Sequence, residues 1–179
     1  MARTLAVALH SAEPSITAIP GERDVSGALR IVKADVSENH PLDGLRLAVE
    51  LKPVNLAVGR AIWNRFGDIR TFAVNLHLKF PFAVVGGVLA IPTYEEAVRE
   101  SVVRRDTRHL ILRAVDRLAR AGGRQTEGDA PHLLEGVGIV VYDPDSGMLD
   151  EEIPTPGRGL RWDEFVESLV TAYRSRFVE

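Results

Sequence analysis

Asp43-Gly-Leu-Arg-Leu-Ala-Val-Glu-Leu-Lys52 is the stretch whose reading decides the fold. Leu45, Leu47, Val49 and Leu51 fall on one side of an extended chain. Arg46, Ala48, Glu50 and Lys52 fall on the other. This period of two predicts a strand over Leu45–Leu51, apolar on one face and so set within a sheet. Pro53 ends it, having no N–H for a ladder. Glu50 and Lys52 project side by side at its far end, and Asp43 stands one turn glycine before its start.

Working outward, Gly21–Val36 reads as a helix, with Asp24 or Ser26 as cap and Leu29, Val32 and Val36 at helical spacing. A strand over part of it is the alternative. Glu38-Asn-His-Pro41 is a turn. Asn55–Phe66 is expected to be helical, with Val58, Ala61, Ile62 and Phe66 as its apolar stripe and Gly67 as its stop. Thr71–Leu78 reads as a strand. Ala83–Ile91 is a continuous apolar run, as in a strand buried on both faces. Thr93-Tyr-Glu-Glu96 fits a capping box, so a helix is expected from Glu95, continuing or restarting near Asp106 and running to Ala121. Leu133–Tyr142 reads as a second buried strand and Trp162–Arg176 as the last helix, with its charges matched to the helix dipole. Strands mixed with helices give an α/β fold around a mixed sheet.

The bulk numbers narrow the functions open to this fold. The chain has 179 residues, 45% hydrophobic and 26% charged, a formal net charge of −3 and no cysteine. This suits one soluble domain and removes disulfides, thiolate metal sites and cysteine nucleophiles. The negative balance gives no global pull on nucleic acid, though a local basic groove would suffice. The apolar start Met1–Leu9 breaks at His10 and Glu13, too soon for a secretion signal. The run Phe80–Pro92 is about half the ~20 residues of a membrane span. The expected setting is the cytoplasm, with no membrane partner.

The chemistry then returns to the opening stretch. Phosphodiester hydrolysis needs charge neutralisation at phosphate and a water held and activated. Mg²⁺ takes an octahedral oxygen shell and keeps several waters, so one or two carboxylates suffice. Asp43 and Glu50 are the candidate carboxylates, the Leu51 backbone carbonyl a further ligand, and Lys52 the cation beside the water. The plain structural alternative is a solvated strand face, with Arg46, Glu50 and Lys52 side by side.

Other motifs are weaker. His10, His40, His77, His109 and His132 show no paired metal spacing. Gly-x-Ser-x-Gly is absent. Gly86-Gly87 lacks the Lys-Ser/Thr of a phosphate loop and fits close packing instead. Asp143-Pro-Asp-Ser-Gly147 is a turn.

Pro41-Leu-Asp43…Glu50-Leu-Lys52 resembles the PD-(D/E)xK motif of the restriction-endonuclease-like nucleases, with one extra residue between the proline and the aspartate. The likeness covers about residues 21–92, leaving 93–179 as an addition to a single domain. It implies a three-layer sandwich, a central mixed sheet flanked by helices. It implies a Mg²⁺-dependent endodeoxyribonuclease of type II kind (Mn²⁺ as substitute), DNA as substrate and a homodimer. Asp43 and Glu50 would then bind metal and Lys52 would be catalytic. Asp35 is the rival to Asp43 should the strands pair differently, and Glu22 a candidate auxiliary ligand. On the helix after the motif, Asn55, Arg60, Asn64 and Arg65 are the candidate DNA contacts, extended by Arg70, His77 and Lys79. A second basic stretch carries Arg99, Arg104, Arg105, Arg108, Arg113, Arg117, Arg120 and Arg124. A non-catalytic binding protein on the same fold is the alternative from another class.

Overall fold

The computed structural model describes residues 1–98 and 102–178. Its elements run α1 (Ala2–Ala12), β1 (Ile19–Ser26), β2 (Ile31–His40), β3 (Gly44–Pro53), α2 (Val58–His77), β4 (Val84–Pro92), β5 (Tyr94–Val98), β6 (Val102–Asp106), α3 (Arg108–Ala119), β7 (Gly136–Tyr142) and α4 (Trp162–Phe177). Five strands form one mixed sheet in the order β1-β2-β3-β4-β7. The β1–β2 and β2–β3 pairs are antiparallel; β3–β4 and β4–β7 are parallel. The fold class is α/β. Among the described residues, strands β5 and β6 pair only with each other, as a ribbon leaving the end of β4.

Helices cover both faces. On one, Ile62, Ile69 and Phe72 of α2 and Ile111 and Leu118 of α3 pack on Ala48, Val85 and Ile139. On the other, Leu5 and Leu9 of α1 and Phe165, Leu169 and Tyr173 of α4 pack on Leu47, Val49 and Val88. Strand β4 is buried throughout, as its unbroken apolar run requires. Its two glycines let both helix layers approach closely. A Cβ on Gly87 would overlap the Ile69 side chain of α2, and one on Gly86 would stand 3.0 Å from the Phe165 ring of α4. Residues beyond Pro92 supply the fifth strand and the helix that closes the second face.

Strand β3, strand β4, strand β7 and helix α4 lie where the sequence predicts them. The expected helix over 21–36 is instead two strands, β1 and β2, joined by a tight connection. Asn75 of α2 holds that connection, its side chain accepting from the Leu29 N–H at 2.6 Å and donating to the Arg30 carbonyl at 2.8 Å. Helix α2 runs through Gly67, where a Cβ would meet nothing within 4 Å, and absorbs the strand expected over 71–78. The expected helix at Glu95 gives way to the β5–β6 ribbon, and α3 starts at Arg108. Thr93 is no helix cap: its N–H donates to the Tyr142 carbonyl. Among the described residues no helix is long and apolar enough to cross a membrane.

Candidate functional site

The β2–β3 ladder ends at Val36–Val49. One step further out on each strand stand Asp35 and Glu50. From here β2 continues beside β1 and β3 continues beside β4, so the sheet forks. The Leu51 N–H points into the fork and donates to Asp35 Oδ2 at 2.7 Å. N–H and C=O of one strand residue point to the same side, so the Leu51 carbonyl faces the fork as well. The fork begins at Glu50, opposite Gly87 early in β4, and opens from there toward the carboxyl ends of the parallel strands, the side on which ligands collect in open α/β sheets.

Glu50 shares a face with Ala48, which packs under α2. Lys52 follows on that face, its Nζ 2.6 Å from Glu50 Oε1. The other oxygen, Glu50 Oε2, is buried and has no hydrogen-bond partner among the described residues. A buried polar atom left unpaired is costly, and native folds leave few of them. Burial pushes the Glu50 carboxyl above its ordinary value; Lys52 draws it back, while the charges of Asp68 and Asp35 push it further up. Asp68 sits on α2, 3.3 Å from Arg65. Glu50 therefore looks across at the Arg65/Asp68 side of α2.

Asp43 is not part of this group. It sits in the β2–β3 connection, about 20 Å of extended strand away from Glu50. There it pairs with Arg46, whose Nε donates at 2.7 Å, and stands 3.2 Å from His40 Nδ1. The correction follows from the sheet: a strand's two ends cannot meet, whereas its neighbour's residue lies beside it. The partner that the pairing brings to Glu50 is Asp35. Asp35 is the rival that the sequence offers for a different strand pairing, and that pairing requires strands in place of the helix expected over 21–36. Glu22 lies on β1, not on a helix, with its carboxylate 2.6 Å from Lys33 Nζ.

The other candidates distribute along α2. Asn55 does not cap the helix, which begins at Val58. Ala57 takes the N-cap position in the left-handed region (φ 50°), and Glu95 of the ribbon accepts from the Val58 N–H at 2.8 Å. Asn55 is exposed and lines a groove of about 390 Å³ with Tyr94, Glu95 and Tyr142. Arg60 and Asn64 lie on the exposed crest. His77 is no surface contact: it is buried, its Nε2 3.2 Å from Glu135. Arg99 lies outside the described residues.

Comparison with protein families, with curated proteins and with solved structures finds no match to this chain. Among the described residues no group of three or more His, Cys, Asp or Glu side chains is gathered to hold a metal. The fork offers a smaller set: two carboxylates, one backbone carbonyl and an adjacent ammonium.

Proposed function

We propose that this chain is a metal-dependent endodeoxyribonuclease on a restriction-endonuclease-like fold, with Asp35, Glu50 and Lys52 as its catalytic group. One observation carries the reading. A buried carboxylate oxygen, Glu50 Oε2, lacks any partner among the described residues, next in sequence to Leu51, whose N–H holds Asp35, and near enough to feel the Asp35 charge. The Glu50 and Asp35 carboxylates and the Leu51 carbonyl are all hard oxygens, which suit Mg²⁺ or Mn²⁺, and a small set suits an ion that keeps several of its waters. Ala34-Asp35…Glu50-Leu-Lys52 then takes the place of the motif first read from Asp43, with alanine where the family has proline.

In this reading Asp35, Glu50 and the Leu51 carbonyl hold the ion. The bound ion supplies Lewis-acid neutralisation of the phosphate oxygens. Asp35 is kept in place by the Leu51 N–H, so one oxygen is committed to orientation and the other is left to ligate. Glu50 is held ready by Lys52 on one oxygen only. The Lys52 ammonium, on the same strand face, hydrogen-bonds the attacking water and offers positive charge to the phosphate. Arg65, across the opening on α2, can exchange Asp68 for a DNA phosphate. A homodimer would present two such sites to the two strands of a duplex.

The test is cleavage of supercoiled plasmid. The chain should nick or linearise it with Mg²⁺ or Mn²⁺ and not with chelator. Lys52→Ala, Glu50→Gln and Asp35→Asn should each lose about 10²–10⁴ in rate while keeping the wild-type fold by circular dichroism. Undiminished cutting by Lys52→Ala, or DNA retardation that ignores chelator with no cutting by the parent chain, would overturn the assignment.

A further inference from the structure

Helices α2 and α3 lie side by side on one face of the sheet, and their outer seam is one-sided in charge. Leu110 of α3 rests against Gly59 of α2, and the Arg117 guanidinium sits 5.3 Å from the centre of the Trp63 ring. Trp63 is 39% exposed. Arg70 follows Trp63 by two turns on the same side of α2. Arg113 on α3 and Arg120 at its C-cap flank Arg117 by about one turn each, and Arg60 stands on the crest of α2. All five arginines are exposed, and none forms an ion pair with a described residue. The acids nearby are already taken: Asp68 by Arg65 at 3.3 Å and Asp116 by Arg158 at 3.3 Å. A chain of net charge −3 thus concentrates five uncompensated cations around one exposed tryptophan.

We infer that the α2–α3 seam is a docking surface for the sugar–phosphate backbone of duplex DNA, with Trp63 and Arg117 stacked at its centre. The inference rests on the nuclease reading for its substrate class. Charge complementarity selects the partner. Arginine forks match phosphate oxygens in bidentate fashion. Three arginines at positions 113, 117 and 120 spread positive charge over about 10 Å of helix. No base edge need be read, so the surface adds affinity and register rather than sequence choice. Its place gives it a use. Arg65 on the opposite flank of α2 faces the fork, so DNA lying across the crest at Arg60 and Asn64 would reach from the seam to Glu50 within about one helix diameter.

The experiment uses a fluorescein-labelled 30-bp duplex of mixed sequence and the full chain carrying Lys52→Ala, with Mg²⁺ present. Adding Arg113→Ala, Arg117→Ala and Arg120→Ala together should raise Kd at least tenfold in 0.1 M salt. It should flatten the slope of log K against log salt by about two to three, near 0.9 per lost phosphate contact. Replacing Arg3, Arg23 and Arg30 instead should move Kd less than twofold. In a Trp162→Phe background the tryptophan fluorescence should change on adding the unlabelled duplex, and Trp63→Phe should abolish that change. Equal binding by the seam variant and its parent, with both melting alike, would overturn the inference. A 30-nucleotide single strand that competes as well as the duplex would overturn the choice of occupant. The two readings fail separately. Plasmid cutting unaffected by the seam substitutions sinks the surface and spares the active site; arginine-dependent binding by a wild-type chain that never cuts does the reverse.

Discussion

Glu50 and Glu135 are both buried carboxylates, on either side of β4 and only two residues apart along it, and their surroundings treat them in opposite ways. Glu135 is fully satisfied. The Val85 N–H donates to it at 2.8 Å and Arg124 at 3.1 Å, the Arg176 guanidinium is ion-paired with it at 2.8 Å, and His77 Nε2 lies 3.2 Å away. These partners come from β4, α4, the loop before β7 and the end of α2, so one side chain ties four parts of the fold together. Burial pushes its carboxyl up, but His77, Arg176 and the Val85 N–H together hold it below its ordinary value. Glu50 has one lysine and an orphaned oxygen, and burial holds its carboxyl above the ordinary value. The Glu135 cluster is not free of unpaired atoms, since Arg124 Nε is buried without a partner among the described residues; what sets Glu50 apart is that its unpaired atom is an anionic oxygen with other carboxylates nearby.

Stability measurements should separate the two most sharply. Glu135→Ala strands two buried arginines and should cost about 3–5 kcal/mol in urea denaturation, a large part of a domain's usual stability. Glu135→Gln, which keeps the shape, should still lose more than about 1 kcal/mol. Glu50→Gln, by contrast, relieves a buried charge and should leave stability within about 1 kcal/mol of the parent or above it. A Glu50→Gln loss as large as that of Glu135→Gln would make Glu50 a structural residue and remove the contrast.

The next effect tests the wall that Glu50 faces. Gly87 lies opposite Glu50 in the β3–β4 register, directly beneath Ile69 of α2. Gly87→Ala should cost about 1–3 kcal/mol through overpacking. Ile69 adjoins Asp68, so the same change should shift α2 away from the fork and lower plasmid cutting beyond what the stability loss explains. A stability loss with cutting unchanged would uncouple α2 from the site.

Leu45–Leu51, Ala83–Ile91 and Leu133–Tyr142 were legible as strands because burial shaped them, but the single apolar face expected over Leu45–Leu51 is broken: Leu47, Val49 and Leu51 pack toward α1 and α4, whereas Leu45, near the register shift at Glu38/Asn39, joins the α2 side. What was not legible depends on partners distant in sequence. Leu29, Val32 and Val36 have helical spacing, yet Leu29 is 73% exposed, so the spacing says nothing about a helix there. The connection at Gly27–Arg30 is built by Asn75, some forty-five residues on, and no local pattern announces it. In α2, Phe72, Val74 and Leu76 mimic strand alternation, whereas the buried residues are Phe72, Ala73, Asn75, Leu76 and His77. For the site, Glu50 and Lys52 needed only the strand period. Their acidic neighbour needed the register of β2 against β3, and that register moves the partner from Asp43 to Asp35.

The same contrast reads out against pH. Glu50 binds its proton more tightly folded than unfolded. It therefore costs stability as pH rises from the ordinary carboxylate range through its raised value. Glu135 has the lowered value, so its contribution is full above the ordinary range and is lost as pH falls through its folded pKa. The stability advantage of Glu50→Gln over the parent should accordingly appear on raising pH above the ordinary carboxylate range and vanish below it. Metal affinity should rise over that same interval, since ligation needs the ionised carboxylate. A Glu50→Gln difference that is flat with pH would mean that Glu50 is not the strained group.

The smallest effect belongs to Asp43, and it discriminates best between the two placements of the acidic residue. Asp43 is partly exposed and pairs with Arg46 and His40 in a connection between strands. Such pairs are worth about 0.2–1 kcal/mol, so Asp43→Asn should shift the melting point only slightly. It should leave plasmid cutting and Mg²⁺ dependence as in the parent, while Asp35→Asn removes both. If Asp43→Asn abolished cutting and Asp35→Asn did not, the fork between β2 and β3 would not be where phosphate is attacked. The unpaired oxygen of Glu50 would then need another explanation.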